Sequence, residues 1–436
     1  MTETSAGIRE LVAAGDRGGA AEAAGRLIAE GFGQPVAAVE LTVDEYSLNS
    51  VSGRVRFTDG HTEFFKFHAE EGEERSVAEY YRARLLAEAG LPVDAPLRVA
   101  TEPGRQIALY RLRTEPRLAD VCADLERADG AAAQLSPELT AARRSLDAAI
   151  GSVMLATLRP PTPSSATTAI HQLFHHRLTG GRRAEVRPEE HSTGTFPGGR
   201  YLAWYLDDPA FDTLADRRFR LNGVTYALTP RKLAERAAEL LDPGALATLP
   251  VVTAHGDDHQ GNVWVVPGRR VEVRPIEQSP ELRLFDPAFA ADDIPALLAP
   301  VKATYHNVFA HPFWLYHPGE AAQRAGLSVR DDGDVVTVDF GGPISDLRRQ
   351  ILDSVAELAW APLLAALAQR GELPANWREI VRAALFCCPL LVTNLLSPAR
   401  PADVRLLGLA QAVLAGSEPD DGTDPLTEML DAVTPA

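Results

Sequence analysis

Eight consecutive small or polar residues, 255–262, lie between two short apolar runs, and no other stretch constrains the fold as strongly. They read His-Gly-Asp-Asp-His-Gln-Gly-Asn, and the flanking residues 251–254 and 263–266 are typical of buried β-strands. In phosphoryl transfer, an aspartate orients the attacking hydroxyl and an amide five residues later helps to hold Mg²⁺. Asp257 and Asn262 have this spacing. The alternative is a polar turn whose side chains have only structural roles.

A second carboxylate is expected at the end of the next apolar run, because Mg²⁺ prefers oxygen ligands and bridges the β- and γ-phosphates. Asp286 follows such a run, residues 282–285, and lies 29 residues after Asp257. Residues 267–281 are predicted to be a hairpin-like insertion. Asp339 competes, since it begins a literal Asp-Phe-Gly. It lies 82 residues after Asp257 at the end of an ordinary strand pattern, so Asp286 is preferred.

The pattern His-Gly-Asp-x-His-x-Gly-Asn resembles the catalytic loop of the aminoglycoside phosphotransferase and choline kinase family, whose members are relatives of protein kinases. The resemblance extends over residues 39–299 and is tightest around Asp257 and Asp286. It implies an α+β, bilobal protein-kinase-like fold. The strand-rich N-terminal lobe is expected over residues 1–112, and the mainly helical C-terminal lobe over residues 113–436.

The same resemblance implies ATP and Mg²⁺ as cofactors, with Asp257 as the catalytic residue and Asn262 and Asp286 as metal ligands. Where a protein kinase has a Gly-rich flap, the loop that contains Ser50 and Ser52 has one glycine. These serines and backbone N–H groups are expected to bind the phosphates instead. The implied activity is ATP-dependent phosphorylation of a small hydroxylated compound. A nucleotide-binding pseudokinase that helps a modification pathway and a peptide kinase are the alternatives.

The family also requires a lysine on the third strand, which holds the α- and β-phosphates and pairs with a glutamate from the next helix. Lys66 lies in an alternating run at that place, and lysine occurs only three times among 43 basic residues. Glu79 is the preferred partner in the following helix, and Glu73 and Glu74 are alternatives. The competing interpretation is an exposed strand lysine and a glutamate on a helix surface.

Three residues are candidates for contact with the acceptor: His175, Asp292 and His306. The acceptor is expected in the large lobe, between residues 159–204 and 306–317. His175 could instead be structural, Asp292 could cap a helix, and the aromatic run around His306 could be core. The acceptor is expected to be a neutral or cationic small molecule with a hydroxyl group, such as an aminoglycoside, an amino sugar or a related alcohol.

The composition indicates which kinds of binding partner and which cellular compartment to expect. The chain has 43 basic and 60 acidic residues and a net charge of −17, which argues against a nucleic-acid partner. Uninterrupted apolar runs fall short of the ~18 residues that span a bilayer, and the start of the chain lacks a secretory pattern. With only three cysteines, a cytoplasmic protein without membrane contact is expected. Residues after 416 are acidic and are expected to be disordered.

Overall fold

The computed structural model describes residues 4–42, 50–68, 78–102, 104–180, 199–206, 208–267, 279–310, 312–323, 326–341 and 344–435. The architecture is α+β, with a strand-rich N-terminal part and a mainly helical C-terminal part, which confirms the predicted fold class. Two separate clusters of buried apolar side chains form the cores. The smaller lies in the N-terminal part and the larger fills the rest of the molecule.

The N-terminal part is an antiparallel five-stranded sheet with the strand order β1-β2-β3-β5-β4. Its elements are α1 (Ser5–Ala13), α2 (Arg17–Phe32), β1 (Val36–Leu41), β2 (Ser50–Phe57), β3 (Thr62–His68), α3 (Ala78–Glu88), β4 (Arg98–Ala100) and β5 (Ile107–Arg111). Helices α1 and α2 cover one face, where Phe65 and Phe67 pack with Leu27 and Ile28. Because side chains alternate across a strand, Lys66 lies on the opposite face of the sheet.

The C-terminal part packs its helices around the larger core. Its helices are α4 (Leu118–Asp129), α5 (Pro137–Thr157), α6 (Arg177–Thr179), α7 (Gly199–Tyr201), α8 (Pro209–Leu214), α9 (Pro230–Leu240), α10 (Pro243–Leu246), α11 (Val301–Thr304), α12 (Pro312–Leu315), α13 (Pro318–Gln323), α14 (Asp346–Val355), α15 (Ala361–Gln369), α16 (Trp377–Val392), α17 (Ala402–Gly416) and α18 (Pro425–Ala432). Its strands are β6 (Arg218–Leu221), β7 (Val224–Thr225), β8 (Val251–Ala254), β9 (Val263–Pro267), β10 (Pro280–Leu284), β11 (Ala291–Pro295), β12 (Ser328–Asp331) and β13 (Val335–Asp339). Turns of π-helix occur at Gln172–His176, Leu202–Leu206, Tyr305–Phe309 and Ala356–Trp360.

Two pairs of short strands position the polar loop identified in the sequence. β8 pairs antiparallel with β11, and β9 pairs antiparallel with β10. The loop therefore begins at the end of β8 and ends where β9 begins. Residues 268–278 of the predicted hairpin-like insertion lie outside the described residues, so that the insertion itself stays a prediction. The end of β10 is tied to the segment after α3, because the Leu284 N–H donates to the Pro92 carbonyl at 2.8 Å and the Asp94 N–H donates to the Leu284 carbonyl at 2.8 Å.

A four-stranded sheet with the order β12-β13-β6-β7 was not expected from the sequence, apart from β13. β6 and β7 form a hairpin around Asn222 and Gly223, whose φ values are 49° and 85°. An Asn-Gly pair between apolar runs is a signal that could have predicted this hairpin. Asp339 is the last residue of β13 and pairs with Ser328, so the literal Asp-Phe-Gly belongs to this sheet.

The expectation of disorder after residue 416 is wrong. Arg382 donates to both carboxylate oxygens of Glu418, at 2.8 and 2.9 Å, and Asp424 caps helix α18. The helix then buries apolar side chains spaced for one helical face: Leu426, Met429, Leu430 and Val433. The acidic residues concealed this periodicity, because composition alone does not show which face of a helix is apolar.

One continuous helix, Asp346–Gln369, is long and apolar enough to cross a membrane by length and composition. It consists of α14, a π-helical turn and α15. Charged residues such as Arg348, Asp353 and Glu357 interrupt it, so that no uninterrupted apolar run reveals it in the sequence. Half of its most apolar window is buried against the rest of the protein, as in the core helix of a folded domain.

Candidate active site

A cleft between the N-terminal sheet and the β9–β10 strand pair brings together side chains from distant parts of the sequence. It contains four of the predicted site residues, Ser52, Lys66, Asn262 and Asp286. The Lys66 ammonium contacts the Asp286 carboxylate, and the two side chains are 9% and 31% exposed. Ser52 lies opposite Lys66 in the β2–β3 ladder. The sheet and the polar loop therefore meet at one place, as the sequence predicts.

For two predicted cofactor-binding residues, Glu79 and Ser50, the structure describes the backbone only. Glu79 lies in the first turn of α3, but its side chain is outside the described residues, as are Glu73 and Glu74. The Lys66–Glu79 pair therefore stays a prediction. Ser50 begins β2 and pairs through its backbone with His68, and its side chain is also outside the described residues.

The single glycine of the predicted phosphate loop has a role in the sheet. A Cβ added at Gly53 would lie 2.2 Å from the Glu40 carbonyl oxygen and 2.8 Å from the Phe65 ring. Such distances are far inside van der Waals contact, so β1 and β3 require glycine here. The packing of the sheet thus explains why glycine is present at position 53.

The residues of the polar loop 255–262 hold one another in place. Gly256 has a φ of 80°, and a Cβ there would lie 2.9 Å from the Phe289 carbonyl oxygen. The Asp257 N–H donates to His255 Nδ1 at 3.3 Å, and Asn262 Nδ2 donates to the Asp257 carbonyl at 2.8 Å. These bonds fix the backbone of Asp257 without using its carboxylate.

Asp286 is held beside this loop in an unusual conformation. Its φ of 57° is in the left-handed region, which costs a residue with a Cβ roughly 1–2 kcal/mol. The preceding residue anchors it, because the Phe285 N–H donates to the Asn262 carbonyl at 3.0 Å and the Phe285 carbonyl accepts from His255 Nε2 at 3.0 Å. Backbone strain of this kind clusters at functional sites.

Asp257 is a largely buried carboxylate that remains ionised, with 16% of its side chain exposed. Burial favours its protonated form, but electrostatic interactions, of which the one with Lys302 is the largest, outweigh burial and lower its pKa. Asp257 Oδ1 has no hydrogen-bond partner among the described residues, and Lys302 Nζ is 3.6 Å away. By contrast, burial raises the pKa of the neighbouring Asp258.

Sequence reasoning missed Lys302, although lysine is rare enough in this chain for each one to be informative. Lys302 is 3% exposed and its Nζ donates to His306 Nε2 at 2.9 Å. His306 Nδ1 lies 2.9 Å from the Tyr316 hydroxyl, and burial holds the pKa of His306 well below its usual range. His306, one of the residues predicted to contact the acceptor molecule, is thus close to Asp257, because Lys302 lies between the two side chains.

The other two acceptor candidates have partners elsewhere. His175 Nε2 lies 3.8 Å from Asp242 Oδ2, and burial lowers the pKa of this histidine. Asp292 is largely exposed, and its carboxylate accepts from Arg159 Nη2 at 3.0 Å. For both, contact with an acceptor stays a prediction.

A buried ion pair supports the polar loop 255–262 through Asn307. Arg348 donates to the two carboxylate oxygens of Glu126 at 2.9 and 2.8 Å, and Arg348 Nη1 donates to the Asn307 carbonyl at 2.6 Å. Asn307 Oδ1 in turn accepts from the Gln260 N–H at 2.7 Å. This network connects helices α4 and α14 to the loop.

Glu126→Ala should lower the free energy of unfolding by about 3–5 kcal/mol, because it leaves the Arg348 guanidinium buried without a counter-charge. Denaturant unfolding of the variant measures this loss. Glu138→Ala, an exposed position of a nearby helix, is the control and should change stability by less than about 0.5 kcal/mol. Equal small effects for both variants would show that the pair is not important for stability.

The residues present fit a magnesium ion. Asp286 and Asn262 line the same cleft and offer a carboxylate and an amide. Within the described ranges, no three His, Cys, Asp or Glu side chains are grouped to hold a metal by themselves. This agrees with Mg²⁺, which usually takes one or two carboxylates and completes its ligands with phosphate and water. Asn262 Nδ2 is used within the loop, so its Oδ1 is the atom suited to a cation.

The far end of the cleft is aromatic. The Trp264 indole stacks on the Phe285 ring with centroids 4.4 Å apart and an interplanar angle of 20°. Both line the cleft together with Phe64 and residues 110–112. A flat apolar surface of this kind can stack with a planar base.

No family model matches the chain, and no curated protein matches it. Solved structures of small-molecule phosphotransferases are similar to it. The spectinomycin phosphotransferase APH(9)-Ia with ADP and spectinomycin is 12% identical, with 95% of this chain and 98% of that chain covered and a TM-score of 0.37. APH(2″)-IIia with GDP and kanamycin is 12% identical, with 89% and 96% covered and a TM-score of 0.40.

A third similar structure is the aminoglycoside phosphotransferase APH(3″)-Id from Streptomyces rimosus with ADP and streptomycin. It is 14% identical, with 84% of this chain and 96% of that chain covered and a TM-score of 0.37. Because these TM-scores are below 0.5, the roles of individual residues rest on the geometry of this chain alone.

Proposed function

We propose that this protein is an ATP-dependent phosphotransferase that transfers the γ-phosphate to a hydroxyl group of a small molecule. One observation carries the proposal. Lys66 and Asp286, 220 residues apart in sequence, meet in a cleft that also contains Asn262, directly beside the loop that holds an ionised Asp257. A polar turn with only structural roles gives no reason for this convergence.

Each residue then has a distinct task. Lys66 holds the α- and β-phosphates, Ser52 and nearby backbone N–H groups contact the phosphate chain, and Asp257 accepts the hydrogen bond of the attacking hydroxyl. Asp286 and Asn262 would hold Mg²⁺, and the charge of this ion would offset that of the phosphates. Positioning and charge neutralisation supply most of the rate in this reaction class.

The acceptor is proposed to be a neutral or cationic hydroxyl compound, such as an aminoglycoside, an amino sugar or a related alcohol. A net charge of −17 can attract a cation from a distance. Close to the reaction, Lys302 and Arg177 contribute positive charge at Asp257, so any amine of the acceptor would lie away from the reacting hydroxyl. The predicted acceptor stretches include residues 181–198 and His311, which are outside the described residues.

The test is a panel of hydroxyl compounds incubated with ATP and Mg²⁺. ADP release identifies an active pair, and mass spectrometry should then show an acceptor heavier by one phosphate group. ADP release without a phosphorylated product would indicate hydrolysis only. Nucleotide binding without any turnover across the panel would favour the pseudokinase alternative, and transfer only to peptides would favour a peptide kinase. We also propose a cytoplasmic location, which three buried free cysteines support.

Lys66→Ala should weaken ATP binding by roughly tenfold or more, because a charged hydrogen bond to phosphate is lost. Lys66→Arg should restore little of this affinity, since a planar guanidinium does not fit where a compact ammonium is packed. Isothermal titration with ATP and Mg²⁺ measures both variants, and Lys232→Ala, an exposed lysine on α9, is the control. Wild-type affinity in the Arg variant would show that Lys66 is only a strand residue.

A further inference from the structure

A buried lysine beside the catalytic aspartate has no assigned role in the chemistry described so far. Lys302 lies in α11, directly before the π-helical turn Tyr305–Phe309, and is 3% exposed. Removing an ammonium group from water costs several kcal/mol unless good partners compensate. Such a group is therefore retained at this place only with a structural or functional reason.

The partners of Lys302 are arranged asymmetrically. Its ammonium donates one hydrogen bond to His306 Nε2 at 2.9 Å, so His306 is neutral and carries its proton on Nδ1, 2.9 Å from the Tyr316 hydroxyl. Toward Asp257 the distance from Nζ to Oδ1 is 3.6 Å, which is too long for a hydrogen bond. His306 and Tyr316 thus fix the position of the ammonium, while its face toward Asp257 keeps donor capacity.

Asp257 has matching unused capacity at the same point, because its Oδ1 lacks a hydrogen-bond partner among the described residues. A hydroxyl that donates to Asp257 and a phosphate oxygen that accepts from Lys302 would satisfy both groups together. The other lysine of the site, Lys66, is on the N-terminal sheet and contacts Asp286. Lys66 lines the cleft from the N-terminal sheet, and Lys302 lies beside Asp257 in the polar loop that borders the cleft. The two cations therefore suit two different parts of one phosphate chain.

We propose that Lys302 is a second phosphate-binding lysine, which contacts the γ-phosphoryl group from the large lobe while Lys66 holds the phosphates nearer the base. This inference rests on the proposed function. In the transfer, the bond from the acceptor oxygen to the γ-phosphorus forms, and the bond from that phosphorus to the bridging oxygen breaks. The electron pair of the broken bond stays on the β-phosphate of ADP, and the hydroxyl proton passes to Asp257. Lys302 exchanges no proton and supplies charge to the oxygens of the transferred group.

A cation for the γ-phosphate must distinguish ATP from ADP, and this is what the experiment measures. Affinities of the imido analogue of ATP, which is not hydrolysed, and of ADP are determined by calorimetry with Mg²⁺. Lys302→Met should weaken binding of the analogue by about tenfold or more and change ADP affinity by less than about twofold. Lys66→Ala should weaken both nucleotides, and Lys232→Met should affect neither.

Several outcomes would overturn the proposal. Equal affinities of Lys302→Met and wild type for the analogue, or equal losses for the analogue and ADP, would show that Lys302 does not contact the γ-phosphate. If the Met variant fails to fold, Lys302→Gln retains a donor for His306 and takes its place. Loss of ADP binding in both variants would make Lys302 a structural residue. If the wild-type protein binds neither nucleotide, the proposed function itself is overturned. If the wild-type protein transfers the phosphoryl group and Lys302→Met binds the analogue as well as wild type does, only this inference is overturned.

Discussion

Asp257→Asn should lower the turnover number by about 10²- to 10⁴-fold, the usual contribution of a positioned general base, while the affinity for ATP stays close to that of wild type. Asparagine preserves the size of the side chain, and the Asp257 backbone bonds to His255 and Asn262 are independent of the carboxylate. What is lost is the negative oxygen that accepts the hydrogen bond of the attacking hydroxyl. Steady-state ADP release and ATP titration measure the two quantities separately.

Asp258→Asn is a matched control for this variant. It changes the adjacent buried carboxylate, whose pKa burial raises, so that an amide mimics its protonated form. We expect this variant to keep most of the turnover. If Asp257→Asn keeps a tenth or more of the wild-type rate, or if the two variants lose activity equally, the catalytic loop has been assigned to the wrong residue.

The sequence was most informative about the part of the candidate site that is built from contiguous residues. Residues 255–262 form one loop whose members bind one another, so the identities and spacing visible in the sequence are those that the local geometry needs. Asp286 is similarly recognisable because it directly follows a short apolar strand. Only the family resemblance placed Lys66 and Asp286 in one site, since no local rule connects residues 220 positions apart, and their direct contact was not predicted.

The part that sequence reasoning missed depends on packing between elements. Lys302 lies in a short helix with an apolar neighbourhood, and only the fold shows that this helix passes beside Asp257. The support of Gln260 by Asn307 and Arg348 is likewise formed by three separate segments. Periodicity predicts which face of a helix is buried, but not which charged side chain that face meets.

The C-terminal segment shows the same limit in the fold. Acidic composition suggested disorder, yet Arg382 neutralises Glu418 inside the structure and α18 covers the larger core. The Glu418 carboxylate looks unpaired in the sequence, because its partner Arg382 lies 36 residues earlier in the chain. Predictions from composition therefore fail where long-range ion pairs form, whereas a local motif shows which neighbouring residues can bind one another.

Asp286→Ala should weaken magnesium-dependent binding of ATP by at least about a hundredfold, the upper end of the loss when support for a bound metal is removed. Asp286 is the carboxylate that the structure places in the cleft with Asn262, on a backbone held in the left-handed region next to the catalytic loop. We assign two ligands to Mg²⁺, Asp286 and Asn262. Without the Asp286 carboxylate, only the Asn262 amide would remain. Calorimetric titration of ATP with and without Mg²⁺ measures the loss.

Asp339→Ala is the matched control, because it removes the aspartate of the literal Asp-Phe-Gly. Asp339 ends β13 and pairs with Ser328 in the four-stranded sheet, so its loss should leave magnesium-dependent binding within about twofold of wild type. The absolute affinities without Mg²⁺ test a second point. In the Asp286→Ala variant the Lys66 ammonium no longer contacts a carboxylate at position 286, so metal-free binding of ATP should fall less than metal-dependent binding, or even rise. A reversed order, with Asp339→Ala abolishing the magnesium dependence and Asp286→Ala preserving it, would move the metal site to the Asp-Phe-Gly sheet and overturn the assignment of the cleft.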